Sequence, residues 1–325
     1  MITHQLIEWL LEGDVSIQYQ VQRDLLNSEQ PQLREQIANE GWGARYLACR
    51  NKNGFWGEGF YMPKWSSTHY TLLDLKNLGI SPNTGVIKET LALILKNKAL
   101  DGGIRLVNNI KRSDVCVNGM FLNYASHFVV GEEGLRSVID TLLAHQMPDG
   151  GFNCQSGRIG AVHSSLHSTL SVAEGFLEYA RNGYKYRLVE IQKAEMESRE
   201  FMLQHKLFQS HRTGKTIDPK MLMLSYPSRW RFDILRALDY FRLADVHFDV
   251  RMQDAIDILW KKRRSDHTWP VQAKHSGITH FDMEITGQSS RWNTLRALRV
   301  LRHFEKITQS YKEKTQSYTE KTIKK

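Results

Sequence analysis

His69, Cys116 and His167 are the residues of this chain whose types and spacing best suit chemistry. Each stands fourth in a segment that recurs along the sequence. Three segments share one pattern: Ser66-Ser67-Thr68-His69-Tyr70-Thr71-Leu72, Ser164-Ser165-Leu166-His167-Ser168-Thr169-Leu170 and Ser289-Ser290-Arg291-Trp292-Asn293-Thr294-Leu295. Two more fit loosely, Ser113-Asp114-Val115-Cys116 and Pro227-Ser228-Arg229-Trp230. In chain order the fourth position reads His, Cys, His, Trp, Trp, and Asp114 lies two residues before the cysteine. Thiolate, imidazole and carboxylate bind zinc in a tetrahedral shell, and a catalytic site leaves one position open. Adjacent helices pack about 8–10 Å apart, so groups at facing helix ends can share one ion. Asp114, Cys116 and His167 are then the candidate ligands, with His69 or His163 as the fourth. An open fourth position would lower the pKa of a substrate thiol and yield a nucleophilic thiolate. Four protein ligands would make the zinc structural. The competing reading makes Asp114 a helix N-cap, Cys116 a small buried hydrophobe and the histidines hydrogen-bonded wall residues.

Helices must position these groups. Ile87, Leu91, Ile94 and Leu95 follow the helical period, as do Leu135, Ile139, Leu142 and Leu143, and Met252, Ala255, Ile256, Leu259 and Trp260. Alternating strand patterns are scarce. The sequence predicts an all-α protein with helices near 3–11, 15–27, 33–50, 66–79, 84–99, 114–130, 133–146, 162–182, 187–206, 229–243, 248–264 and 288–307. Turns rich in glycine or aromatic residues precede the segments: Asn53-Gly54-Phe55-Trp56, Asp101-Gly102-Gly103-Ile104, Asp149-Gly150-Gly151-Phe152 and Asp266-His267-Thr268-Trp269-Pro270. Glycine supplies the positive φ of such turns, and aspartate closes them through its own backbone. Successive fourth positions lie 47, 51, 63 and 62 residues apart, the signature of a helix-hairpin repeat. Six inner and six outer helices would close into an α6/α6 toroid over residues 1–308. Residues 309–325 repeat a polar heptad, Gln309 to Thr315 echoed by Gln316 to Thr322, and read as a basic tail that buries little.

Hydrophobic residues make up 41% of the 325 and charged residues 24%, which places the chain among globular proteins. The formal charge is +9, but residues 305–325 alone hold six Lys against three Glu. Without an Arg-rich run, the remainder argues only weakly for nucleic acid and suits an anionic small ligand or a phosphate group at least as well. The N-terminus lacks the basic region and cleavage site of a signal peptide, and no apolar run has membrane-spanning length. Three cysteines at 49, 116 and 154 do not make a disulfide framework. A cytoplasmic home is expected, where thiolates stay available to a metal.

At the level of motifs the chain resembles the terpenoid cyclase and protein prenyltransferase toroids. Gln146-Met147-Pro148-Asp149-Gly150-Gly151-Phe152 is similar to that superfamily's Gln-x-x-Asp-Gly-Gly-Phe repeat. Lys111-Arg112-Ser113-Asp114-Val115-Cys116 resembles the Lys-x-x-Asp-x-Cys element of zinc-dependent prenyltransferase β-subunits, with His167 in register as the family's zinc-binding histidine. The resemblance implies zinc on Asp114, Cys116 and His167, Lys111 as a diphosphate contact, and a single-chain prenyltransferase-like enzyme whose metal binds a thiolate acceptor. The acidic Asp-x-Asp-Asp cluster of the cyclase branch is absent, as is Asp-Asp-x-x-Asp. On the opposite side of the expected ring stand two Arg-Trp pairs, Arg229-Trp230 and Arg291-Trp292. Guanidinium forks hold phosphate oxygens, and indole faces hold a hydrocarbon chain or positive charge. With Tyr70 these four residues are the candidate substrate contacts. The expected ligand is an isoprenoid diphosphate or another anion, with a protein acceptor as a further candidate partner. Two other functions fit an α/α toroid: a glycan-active hydrolase or lyase using Asp233, Asp282 and Glu284, or a non-catalytic protein that binds a peptide or lipid.

Overall fold

The computed structural model describes residues 2–107, 112–156 and 160–305. Helices dominate: α1 (His4–Leu11), α2 (Val15–Asp24), α3 (Pro31–Gln36), α4 (Gly41–Ala48), α5 (Thr68–Leu78), α6 (Gly85–Leu95) and α7 (Val115–His127). They continue with α8 (Glu132–Ala144), α9 (Leu166–Arg181), α10 (Leu188–Gln204), α11 (Ile234–Leu243), α12 (Gln253–Lys261) and α13 (291–305). Among the described residues the only named strands are two-residue pieces, Trp269–Pro270 paired antiparallel with Ser289–Ser290. The expected helical class holds. The polar tail 309–325 lies outside the described residues.

Six helices form an inner set, and polar contacts link them in a circle. Gln20 of α2 donates to the Asn77 carbonyl of α5 at 2.9 Å, and His69 of α5 meets the Tyr124 hydroxyl of α7 at 3.1 Å. His127 of α7 lies 3.3 Å from Glu178 of α9, and Arg236 of α11 donates to Glu174 of α9 at 2.9 Å. Arg299 of α13 donates to Asp239 of α11 at 2.9 Å and to Asp24 of α2 at 2.8 Å, which returns the circle to its start. Outside this set, α6, α8 and α12 bury the faces their periodicity marks. Leu91 and Ile94, Leu135, Ile139 and Leu142, and Ala255, Ile256 and Leu259 all lie in the core.

Two positions of the repeated segment have the same structural job in three of its five copies. The three turn aspartates reach forward to the first serine of the segment that follows each. Asp101 accepts from the Ser113 backbone N–H at 2.7 Å, Asp149 from that of Ser164 at 2.9 Å, and Asp266 from the Ser289 hydroxyl at 3.0 Å. A side chain in the first turn and a half of the inner helix then holds the backbone N–H of the aromatic or aliphatic turn residue. Asn118 takes Ile104, Thr169 takes Phe152, and Thr294 takes Trp269, at 2.8–3.0 Å. The turn–helix unit thus satisfies buried backbone groups that would otherwise be orphaned.

Two expected boundaries are corrected. The helix expected at 33–50 is two helices. Gly41 adopts φ 59°, and the Trp42 N–H leaves the helical ladder to bond Asp14 Oδ2 at 2.7 Å. The helix expected from 229 begins only at Ile234, because Arg229 sits at φ 55° and Asp233 caps the helix by accepting from Arg236 N at 2.8 Å. Positive φ in a non-glycine residue cannot continue a right-handed helix.

Candidate functional site

The inner helices surround a cavity of roughly 620 Å³. All six contribute to its wall, mostly from their C-terminal halves: Asp24, Lys76, His127, Glu178, Arg242 and Arg299 mark one residue from each. The lining is charged. Among the described residues nine arginines and lysines face five carboxylates.

Most of this charge is internally matched. Burial pushes the Asp239 carboxyl up, but Arg299, Arg242 and Arg296 outweigh it and hold the group far below the usual carboxylate range. Glu178 is held down the same way, against burial, by Lys76 and His127. Asp24 is lowered against burial by Arg299 and Arg23. The helix ends account for part of the remaining surplus. Each C-terminus carries about half a negative charge, and cations in the last turn answer it. Of the lining cations not paired above, Arg181 is such a last-turn residue.

Arg229 is different. It lies before α11, at the end of the cavity away from the helix C-termini, and is 6% exposed. Its guanidinium stacks over Trp65 at 4.7 Å, while Nε and Nη1 have no hydrogen-bond partner. Its left-handed backbone costs energy that the surroundings must supply. The Tyr226 hydroxyl, also without a partner, lines the same wall. Beneath them Asp74 is 1% exposed, accepts from Tyr46 at 3.0 Å through Oδ2 and leaves Oδ1 unmatched. Burial raises its pKa to about 6 despite Arg229 and the tyrosine. Unpaired polar atoms this deeply placed are costly, and they mark where a ligand or water belongs.

The sequence-derived candidates divide sharply. Trp292 lines the cavity, is 2% exposed and packs against Tyr226 at 4.8 Å. Arg229 lines it as described. Arg291 does not: it turns outward, donates to the Trp9 carbonyl at 2.7 Å and stacks on Trp9. Trp230 packs on His167 at 5.1 Å, outside the cavity lining. Tyr70 is buried under Trp65, with its hydroxyl 3.3 Å from that of Tyr61. Lys111 lies outside the described residues. The register itself shifts at α11. His69, Cys116, His167 and Trp292 are each the second residue of their helix, but Leu235, not Trp230, holds that place in α11.

The expected zinc ligands do not form a zinc shell. Phe232 N–H donates to His167 Nδ1 at 2.7 Å, which makes Nδ1 the acceptor and leaves the ring's proton on Nε2. His69 engages Tyr124, and burial with the Lys64 charge lowers its pKa to about 3. His163 is exposed and precedes α9, so it does not share a helical face with His167. Asp114 holds the N-cap position of α7. The Cys116 thiol is hydrogen-bonded to the free thiol of Cys154, and that contact, with burial, raises its pKa well above normal. Among the described residues no three His, Cys, Asp or Glu side chains form a group able to hold a metal. Equivalent positions on neighbouring helices are taken up by local partners before they can meet.

The glycan-type acids are also committed elsewhere, and none lines the six-helix cavity. Asp233 caps α11 and bonds Ser228 at 3.2 Å, Asp282 pairs with Lys274 at the surface, and Glu284 accepts from the Ser290 hydroxyl and the Trp292 N–H. Sequence reasoning missed Asp74, Arg296 and Cys154. The first two sit mid-helix without a motif, and Cys154 follows the Asp-Gly-Gly-Phe turn, a position that offered only proximity to an end of the ring.

No known protein-family model matches the chain, and no curated protein matches it. Among solved structures the chain is similar to the type II terpene cyclase MstE from Scytonema. For a variant in complex with the product merosterolic acid A, identity is 14% over 93% of this chain and 99% of that chain, with TM-score 0.35. For a variant in complex with the substrate geranylgeranyl dihydroxybenzoate, identity is 15% over 92% and 98%, with TM-score 0.35. No described helix is long and apolar enough to cross a membrane.

Proposed function

We propose that this protein binds a multiply charged organic anion in the six-helix cavity, with a diphosphate as the recognised group. Arg229 carries the reading. Last-turn cations answer helix dipoles, whereas this buried guanidinium at the far end of the cavity meets the Asp74 charge and the Trp65 ring but makes no hydrogen bond through Nε or Nη1. Phosphate oxygens accept such groups in pairs. Arg296, deep in the same wall and only 3.6 Å from the shared Asp239, offers a second contact. Trp292, Tyr226 and Tyr240 give the lining its aromatic surface, against which an isoprenoid chain would lie. The charged lining makes the anionic head the main determinant and the hydrocarbon the secondary one.

Titration calorimetry and thermal denaturation with inorganic diphosphate and with a prenyl diphosphate test this. Both are expected to bind and to raise the melting temperature, and Arg229→Ala is expected to weaken binding about 10–100-fold, the loss of one charged hydrogen-bonding group. Tighter binding of the prenyl ester than of diphosphate would show that the aromatic wall contributes. Failure of both ligands to bind at millimolar concentration would remove the proposal.

A further inference from the structure

Two of the three cysteines meet at the head of α7, outside the cavity. Cys154 follows the Gly150-Gly151-Phe152 turn, and Cys116 precedes it by 38 residues. The Cys116 backbone N–H donates to Cys154 Sγ at 3.0 Å, and the Ser168 hydroxyl donates to the same sulfur at 3.3 Å. The Cys116 thiol is a third donor. Two of these donors are backbone and side-chain groups in the first turns of α7 and α9, where helix dipoles favour negative charge. A thiolate accepts hydrogen bonds and cannot donate them, so donors converging on one sulfur, the Cys116 thiol first, favour its nucleophilic form and lower its pKa against burial and the Asp114 charge. Lys64 adds a cation beside Cys116. Both cysteines are partly exposed. Cys116 is one half of a thiol pair, and this site is independent of the anion reading.

We propose that Cys154 and Cys116 are a reactive dithiol whose substrate is a small-molecule disulfide. The Cys154 thiolate attacks one sulfur of the disulfide. That S–S bond breaks, and the first thiol departs after taking a proton from solvent. Cys116 then loses its proton and attacks Cys154 Sγ, and the second small thiol leaves with a proton. Two protein thiols are oxidised to one disulfide, and one external disulfide is reduced to two thiols. The product ties the head of α7 to the turn that leads into α9.

The test equilibrates the full chain in mixtures of glutathione and its disulfide, quenches with acid, alkylates the free thiols and measures mass and peptide map. Wild type should lose two hydrogens, yield a Cys116–Cys154 peptide and keep one alkylatable thiol, Cys49, with reversal in excess glutathione. Cys116→Ser should accumulate one glutathione on Cys154. Cys154→Ser should keep both remaining thiols free at the same dose, with circular dichroism confirming that each variant is folded. Three free thiols in wild type under oxidising conditions would overturn the proposal. So would a disulfide involving Cys49, or a glutathione adduct on Cys154 that Cys116 never displaces.

Discussion

Asp74 is held in surroundings that oppose its charge. Its folded pKa of about 6 exceeds the ordinary aspartate value of about 3.9, so keeping it ionised costs the fold on the order of 2–3 kcal/mol at pH 7. The penalty is absent below the unfolded pKa, grows between about pH 4 and 6 and is constant above. Asp74→Asn should therefore melt higher than wild type at pH 7, and the gain should vanish towards pH 4. A pH-independent difference in thermal denaturation would contradict this account. The buried histidines have the opposite sign. His69 at about 3 and His167 at about 4 stabilise fully above the unfolded value of about 6.5 and lose that contribution as pH falls through their folded values. Both proteins share these histidines, so the difference isolates Asp74. At this scale the sequence was partly legible. Register found Arg229 and Trp292, which do line the cavity, but residue type alone could not separate Arg291, stacked outward on Trp9, from Arg229, turned inward. The direction of a side chain depends on where its helix begins, and Arg229 lies in a left-handed turn that the repeat pattern does not reveal.

Between elements, α7 and α9 approach backbone to backbone at two glycines. A Cβ at Gly119 would lie 2.7 Å from the Ser171 carbonyl oxygen and from Val172 Cα, and a Cβ at Gly175 would run into the Gly119 carbonyl. These are backbone atoms, which cannot swing away as a long side chain would. Gly175→Ala should destabilise the protein by about 1–3 kcal/mol in urea unfolding through overpacking, against little change for Gly85→Ala, whose added carbon meets nothing. Equal effects of the two substitutions would show that helix propensity, not interhelical contact, governs both. Helix existence was readable because burial every three to four residues is imposed by the core. The two mid-helix glycines carried no such signal, since a glycine within a helical pattern looks the same whether or not another backbone crosses it. The merged 33–50 helix failed for a related reason: the Asp14–Trp42 bond that ends the ladder spans 28 residues.

For the molecule as a whole, Arg299 is the residue that joins first and last inner helices. Its guanidinium contacts Asp24, Asp239 and Gln20, and its side chain and both carboxylates are largely buried. Arg299→Met leaves two buried carboxylates short of a cation and should cost about 3–5 kcal/mol in chemical denaturation. A loss under 1 kcal/mol, typical of a surface pair, would show that the ring does not depend on this junction. Five repeat segments and a further helix at Asp14 to Leu26 gave six expected inner helices, and six described helices line the cavity. Its charge was not foreseen, because arginine and glutamate in mid-helix read as a solvent face, and only enclosure turns that face inward. The circular contact path also sets how the molecule comes apart. A linear stack of repeats has two free ends and can unzip from either, one unit at a time. Here each inner helix has a neighbour on both sides, so no repeat is terminal. Loss of structure then has no free edge between repeats at which to start, and the repeats are expected to unfold in one cooperative transition in chemical denaturation rather than one by one.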